Sequence, residues 1–149
     1  MGLSKGFLEQ QGLVFIRTDL PGQPRIDVAP ASVTSKVRRT ALAAGTAEVE
    51  TVEHLLSALY GLGVDNATIE LDGPEMPILD GSAAPFTAAI DRAGIVALPA
   101  ARCYLRILKP VGVAAGDSYG ELRPYDRGFR VEIEIDFDHE IVGRQSFQL

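Results

Sequence analysis

Residues 51–63 read Thr51-Val-Glu-His-Leu-Leu-Ser-Ala-Leu-Tyr-Gly-Leu-Gly63 and carry the strongest helix pattern in the chain. Their apolar residues repeat with the 3.6-residue period of a helix and form one stripe. That stripe consists of Val52, Leu55, Leu56, Leu59 and Tyr60. Thr51 is predicted to cap the start, and Gly61 or Gly63 to end the helix in the left-handed conformation. Glu53 and His54 lie off the stripe in the first turn, so they can face an opening while the helix is held in a core.

The segments around this helix predict an α+β fold. Strands are expected at Leu13–Arg17, at Ile26–Val28, at Arg39–Leu42 and at Asn66–Leu71, where Ala67, Ile69 and Leu71 share one face. A second helix should begin after an N-cap at Ser82, accept Pro85 in its first turn and end at Gly94. Its apolar stripe is Phe86, Ala89, Ile90 and Ala93. Strands, helix, strand and helix in this order predict a two-layer α+β sandwich with both helices on one face of a sheet.

The pattern changes after Leu98–Ala101, where only strands are indicated. They are expected at Tyr104–Leu108, Ser118–Arg123, Phe129–Phe137 and Ser146–Leu149, with Pro124–Gly128 as a hairpin loop between the middle two. No helix follows to cover their apolar face, and such a sheet needs a partner layer. The expected organisation is therefore a first α+β domain at 1–101 and, at 102–149, the incomplete start of a second α+β domain.

Composition narrows the function classes. The 149 residues carry a net charge of −6 without a basic patch, which argues against a general nucleic-acid binder. The local cluster of Lys36, Arg38 and Arg39 is either a solvated strand or loop, or a contact for an anionic substrate group. A single cysteine, Cys103, excludes an internal disulfide and is expected to be a small core residue. With neither a membrane-spanning run nor a signal peptide in the sequence, a cytoplasmic location is the expectation.

Glu53 and His54 are the residues whose chemistry stands out. A neutral imidazole is a good zinc ligand, and a hydrolytic zinc site needs about three protein ligands together with a carboxylate base. Adjacent helical residues point roughly 100° apart, so Glu53 would stand beside an ion held by His54 rather than chelate it. The alternative is a hydrogen-bonded pair at a helix start. His139 offers a possible second ligand or, alternatively, a satisfied polar residue at a strand end.

Three motifs in series resemble one enzyme family. They are Thr51-Val-Glu-His-Leu-Leu-Ser-Ala-Leu59, Gly61-Leu-Gly-Val-Asp-Asn-Ala67 and Pro74-Glu-Met-Pro-Ile-Leu-Asp-Gly-Ser-Ala-Ala-Pro-Phe86. In this order they resemble the zinc-dependent UDP-3-O-acyl-N-acetylglucosamine deacetylases of lipid A biosynthesis. A weaker match continues through Glu121–Tyr125 and Ile135–His139. The resemblance extends over nearly the whole chain from Gly12 onward.

The resemblance implies two similar α+β domains with the active site between them. It implies that His54 is a Zn²⁺ ligand and that Glu53 is the general base for the water that releases acetate from the UDP-linked substrate. The family's other two ligands come from a His-x-x-x-Asp motif in its second domain. This sequence has no such motif, because Gly143 stands four residues after His139. The family's first strand, with its Gly-x-Gly-Leu-His loop, also has no counterpart.

Three interpretations follow from these observations. The leading one is an N-terminal portion of the deacetylase that is inactive alone and needs the second domain to complete its site. Another is a truncated, non-catalytic paralogue that acts as a binding or pairing module. In a third, two chains pair and His139 becomes an added ligand. The DNA beyond Leu149 would discriminate the first two, because a continuing frame with His-x-x-x-Asp supports the enzyme.

Overall fold

A computed structural model describes residues 2–4, 11–102 and 104–149 of the protein. It divides the chain into two compact units, Met1–Ala100 and Ala101–Leu149, here called unit 1 and unit 2. Unit 1 combines small sheets with two helices, which confirms the predicted α+β class. The residue expected to be a small core cysteine, Cys103, lies outside the described residues.

Unit 1 contains seven described strands and two described α-helices. The strands are β1 (Gly2–Ser4), β2 (Leu13–Arg17), β3 (Arg25–Asp27), β4 (Val33–Ser35), β5 (Thr40–Ala44), β6 (Ala47–Glu50) and β7 (Ala67–Leu71), and the helices are α1 (Glu53–Gly61) and α2 (Ala84–Ala93). One sheet has the order β1-β7-β2-β3, in which β2 and β7 are parallel. The other is the antiparallel sheet β4-β5-β6. A single 3₁₀ turn at Pro30–Ser32 leads into β4.

The core of unit 1 joins both sheets to both helices. In the first sheet, Phe15 on β2 lies opposite Ile69 on β7, and both side chains are fully buried. In the second sheet, Leu42 lies opposite Val49. Because strand side chains alternate between faces, the intervening residues point away from this core. The helices complete the cluster with Leu55, Ala58, Leu59, Phe86 and Ile90.

The start of α1 differs from the prediction. The N-cap is Val52 rather than Thr51, and no side chain caps the helix. Thr51 has a left-handed backbone, with φ of 57°, and its hydroxyl donates to Glu75 instead of accepting from the helix. The predicted cap is wrong because a contact with a distant loop takes this hydroxyl.

The buried face of α1 is also rotated from the predicted stripe. Leu55 and Leu59 are buried as expected, and the small Ala58 joins them. Tyr60, which was placed in the stripe, is 65% exposed. A face centred between Leu55 and Leu59 and widened toward Ala58 leaves Tyr60 beyond its edge.

The end of α1 confirms the expected glycine signal. Gly63 has φ of 69°, its amide donates to the Tyr60 carbonyl at 3.0 Å, and the Val64 amide donates to the Leu59 carbonyl at 2.9 Å. These two bonds form a Schellman motif, which satisfies the last carbonyls of the helix.

Replacing Gly63 by alanine should lower the free energy of unfolding by about 1 kcal/mol, because a Cβ disfavours the left-handed conformation. Gly61 provides the matched control, since it is helical and a Cβ added there meets nothing within 4 Å. Gly61→Ala should leave stability unchanged or raise it by up to about 1 kcal/mol. Urea titration measures both, and an equal loss in the two variants would contradict the motif.

The second helix follows the predicted pattern with small shifts. Phe86 and Ile90 are buried, and Gly94 ends the helix with φ of 80°. Ala93, predicted in the stripe, is exposed because it lies in the last turn. The N-cap is Ala83, while the predicted cap Ser82 lies one residue earlier and its hydroxyl accepts from the Ala84 amide at 3.2 Å.

Several strands were not predicted. Four lack a strong sequence signal: β1, β4, β6 and, in unit 2, β8 (Val111–Ala115). Alanine, glycine and glutamate are depleted in strands, and they dominate β6 and β8. Pairing with a neighbour gives these segments their extended form, as β5 does for β6.

Unit 2 contains two separate hairpins. In one, β8 pairs with β9 (Ser118–Leu122), and in the other β10 (Glu132–Asp136) pairs with β11 (Arg144–Gln148).

The predicted hairpin at Pro124–Gly128 is wrong, because β9 and β10 do not pair and this segment only connects them. The predicted strand at Tyr104–Leu108 is also wrong, since no ladder forms there to satisfy its backbone. The apolar alternation predicted for Phe129–Phe137 yields a shorter strand, whose Ile133 and Ile135 remain exposed.

Candidate active site

The first turn of α1 opens into a cleft of about 340 Å³ in unit 1. Both Glu53 and His54 line it, and both are half-buried. The other lining residues come from the segment before β5, from the junction between β6 and α1 and from the loop after β7, and they are Val37, Arg38, Arg39, Thr51, Glu75 and Ile78. The predicted pair therefore lies at one accessible surface, as its position off the apolar stripe requires.

Glu53 is held from the side of β5. Its Oε2 accepts a hydrogen bond from the Thr40 amide at 3.2 Å. The Thr40 carbonyl in turn accepts from the Val52 amide at 3.4 Å. The first residue of β5 thus contacts two consecutive residues at the start of the helix. This pair of bonds fixes the carboxylate of Glu53 at the cleft wall.

The opposite side of the helix start contacts the loop after β7. The Glu50 amide donates to the Pro74 carbonyl at 2.8 Å, and the Met76 amide donates to the Glu50 carbonyl at 3.0 Å. Between these bonds, the hydroxyl of Thr51 donates to Glu75 Oε1 at 2.6 Å. The loop therefore extends the edge of β6 and brings a second carboxylate into the cleft.

The basic cluster before β5 is largely neutralised by β6. Lys36 Nζ lies 3.0 Å from Glu48 Oε2 and 3.3 Å from Glu50 Oε1, and Arg39 Nη2 lies 2.7 Å from Glu50 Oε2. The hydrogen bond from Lys36 lowers the pKa of the Glu48 carboxyl, and the same bond raises the pKa of Lys36. Lys36 and Arg39 thus form ion pairs with β6, while Arg38 and Arg39 line the cleft.

Asp80, in the loop before α2, is a further acidic residue that interacts with His54 of α1. Its Oδ1 accepts from the amide and from the hydroxyl of Ser82, both at 2.9 Å. These bonds stabilise the carboxylate and hold its pKa below the ordinary value, and the nearby His54 adds a smaller electrostatic contribution. Asp80 is thus a charged neighbour of His54 that no sequence pattern predicted.

His139 belongs to unit 2 and takes part in a turn. Its Nδ1 accepts from the Ile141 amide at 3.2 Å and from the Val142 amide at 3.4 Å. The Gly143 amide also donates to the His139 carbonyl at 2.8 Å. These contacts match the interpretation of His139 as a satisfied polar residue at the end of a strand.

The described residues contain no group of three or more His, Cys, Asp or Glu side chains that could hold a metal ion. Of the groups that the predicted zinc chemistry requires, the cleft contains one imidazole, from His54, and a neighbouring carboxylate, from Glu53. Over the same part of the chain, no helix combines the length and the apolar character needed to cross a bilayer.

Comparison with known proteins supports the resemblance seen in the motifs. The family model for UDP-3-O-acyl N-acetylglycosamine deacetylase matches residues 5–149. Three relatives are each 45% identical to this chain over 136 residues. They are proteins named UDP-3-O-acyl-N-acetylglucosamine deacetylase from Brucella ovis, Brucella canis and Brucella melitensis biotype 2. The matched region covers 91% of this chain and 47% of each relative, so the chain spans about half the length of these relatives. A family match over almost the whole chain, with this level of identity, shows that the chain belongs to the UDP-3-O-acyl N-acetylglycosamine deacetylase family.

Proposed function

We propose that this chain supplies one zinc ligand and the general base to an enzyme that hydrolyses the N-acetyl group of UDP-3-O-acyl-N-acetylglucosamine. His54 is the ligand and Glu53 is the base. The observation that carries the proposal is their shared position at the first turn of α1, lining one cleft, in a chain of this family. The substrate and the reaction come from the family and from the names of the relatives.

The residues in the cleft fit part of a zinc site. His54 is half-buried and borders open space, as a ligand must, and Glu53 stands beside it on the next helical position. A catalytic zinc needs about three protein ligands, so His54 accounts for about a third of the set. We propose that the remaining ligands come from the His-x-x-x-Asp motif of the family's second domain, which this sequence does not contain.

Zinc, when bound, polarises the acetamide carbonyl and makes water more acidic. Glu53 then takes a proton from the attacking water, whose oxygen adds to the carbonyl carbon. The C–N bond breaks as the sugar nitrogen receives the proton that Glu53 took from the water, which regenerates the Glu53 carboxylate, and the acetyl group leaves as acetic acid, which loses its proton to solvent as acetate. The Thr40 amide holds one oxygen of Glu53, so the carboxylate is oriented before the substrate arrives.

The product would be the free amine of the UDP-linked acyl glucosamine, and the acetate would be released into solution. We propose a cytoplasmic location for this reaction. Lipid A biosynthesis is the process that the family resemblance implies for this reaction.

The isolated chain should bind Zn²⁺ weakly and release no acetate, because one histidine and one carboxylate cannot hold the ion tightly. Isothermal titration with Zn²⁺, together with an acetate assay on the UDP-linked substrate, measures both. His54→Ala should abolish the weak binding. His139→Ala is the matched control and should leave it unchanged, since His139 already serves a turn.

Three results would contradict this assignment. Tight, stoichiometric zinc with turnover would show that the chain is a complete enzyme rather than part of a site. Zinc binding that survives His54→Ala but disappears in His139→Ala would favour the interpretation in which paired chains use His139. A chain without affinity for zinc, from a gene that stops at Leu149, would support the non-catalytic paralogue.

A further inference from the structure

The junction between β6 and α1 depends on one strained residue. Thr51 alone separates the strand from the N-cap Val52, and its φ of 57° turns the chain from one element into the other. A β-branched residue rarely adopts this conformation, and such strain persists only where the surroundings over-determine it. Thr51 is also 5% exposed, so its hydroxyl needs a partner inside the protein.

Glu75 is that partner, and its backbone is fixed. The hydrogen bond of 2.6 Å joins residues 24 positions apart in the chain. Glu75 forms a parallel bridge with Glu50, and the bonds at Pro74 and Met76 hold the loop on both sides of it. The side-chain oxygen therefore reaches Thr51 from an ordered segment.

The start of α1 is consequently held from two sides. On one side Thr40 contacts Val52 and the carboxylate of Glu53. On the other side Glu75 holds Thr51. Movement of Thr51 would shift the two residues that follow the N-cap, because a helix transmits a change at its first turn as a rigid unit. The bond between Thr51 and Glu75 therefore sets where Glu53 and His54 lie in the cleft.

We propose that Glu75, acting through Thr51, is a positioning residue for Glu53 and His54. This inference rests on the proposed function of those two residues. Glu75 holds the helix start in place and takes no proton in the reaction. Its role requires an acceptor oxygen at this position rather than a negative charge.

Nuclear magnetic resonance of the 149-residue chain can test this positioning role. The Thr40 amide reports the position of Glu53, and the ring of His54 reports its own surroundings. His139, the other histidine of the chain and a residue of unit 2, serves as a reference within the same spectrum. Glu75→Ala and Thr51→Val each remove one partner of the bond, and Thr51→Val preserves the branched shape of the side chain.

Both variants should accelerate hydrogen exchange of the Thr40 amide by about tenfold and move the His54 ring signal. The His139 signal and the core amides of Phe15 and Ile69 should not change. Glu75→Gln should restore the wild-type values, since its amide oxygen still accepts from Thr51. Asp72→Ala is the matched control, because it removes an exposed carboxylate from the same loop away from Thr51.

The outcomes separate the alternatives. An unchanged Thr40 amide and His54 ring in Thr51→Val, or the same changes in Asp72→Ala, would overturn the positioning role. If Glu75→Ala unfolds, the positioning role can still be tested by comparing Thr51→Ser with Thr51→Val. Thr51→Ser keeps the hydroxyl donor and Thr51→Val removes it, so equal spectra of the two variants would reject the inference. If added zinc does not shift the His54 signal of the wild-type chain, the proposed function is contradicted instead. The effect of the variants on the Thr40 amide would remain valid evidence for the positioning role.

Discussion

Replacing Glu53 by glutamine should lower the rate of N-acetyl hydrolysis by about 10²- to 10⁴-fold, the usual contribution of a positioned general base. The suitable protein is a chimera in which this chain replaces the matching segment of the Brucella ovis deacetylase. The two segments are 45% identical over 136 residues. The chimera supplies the half of the relative that this chain does not span.

Glutamine isolates the proton-transfer role of Glu53. Its amide oxygen can still accept from the Thr40 amide, so the side chain keeps its anchor while losing the ability to take a proton. The loss should therefore appear in kcat with little change in KM, because substrate binding does not use that proton. Single-turnover measurements of acetate release would follow the chemical step directly.

Glu70→Gln is the control for this substitution. Glu70 lies on β7 outside the cleft of Glu53 and His54, and the change removes the same charge from the same unit. Its rate should stay within about threefold of the unaltered chimera, because glutamine keeps the size of the side chain and the position is outside the cleft. Equal activity in the Glu53→Gln chimera and this control would exclude Glu53 as the base.

The sequence predicted the elements whose patterns are local. The 3.6-residue period located α1 and α2, the apolar alternation located β7, and a continuous apolar run located β2. Gly63 ended α1 as expected, because a left-handed residue strongly favours glycine and little else. In each case the signal lies within about ten residues and needs no distant partner.

The missed elements depend on distant partners. β4 is only three residues long and β6 consists mostly of alanine and glutamate, and pairing with β5 makes both segments strands. Thr51 was predicted to be a cap because its type favours that role, but its hydroxyl donates to a loop residue 24 positions away. Tyr104–Leu108 was predicted to be a strand, yet this segment has no strand partner in the part of the chain that the structure describes. Non-local pairing thus decides where local preference is weak or misleading.

In the candidate site, too, residues with local sequence signals were predicted and residues that depend on distant contacts were not. Glu53 and His54 are neighbours in the chain, so one helix pattern was enough to place both at an opening. Glu75 was quoted in a motif without a role, since its place beside Thr51 depends on the bridge between Glu50 and the loop. Its one local signal was a carboxylate in a loop rich in proline and glycine, a common setting for functional residues.

The second large effect is expected from His54→Ala, which should lower the zinc content of the chimera. The imidazole of His54 is the one proposed ligand within this chain, and losing one of about three ligands leaves a catalytic zinc poorly held. The variant should retain the fold, because His54 lies off the buried face of α1 and outside the core cluster. Circular dichroism would verify that the helices remain.

The zinc content of the purified chimera, measured by inductively coupled plasma mass spectrometry, tests the proposed metal site most directly. The unaltered chimera should carry about one zinc per chain after dialysis against a weak chelator. The His54→Ala chimera should carry well under half of that amount, while the His139→Ala chimera should match the unaltered protein. Full zinc occupancy in the His54→Ala chimera would contradict the assignment of His54 as a ligand.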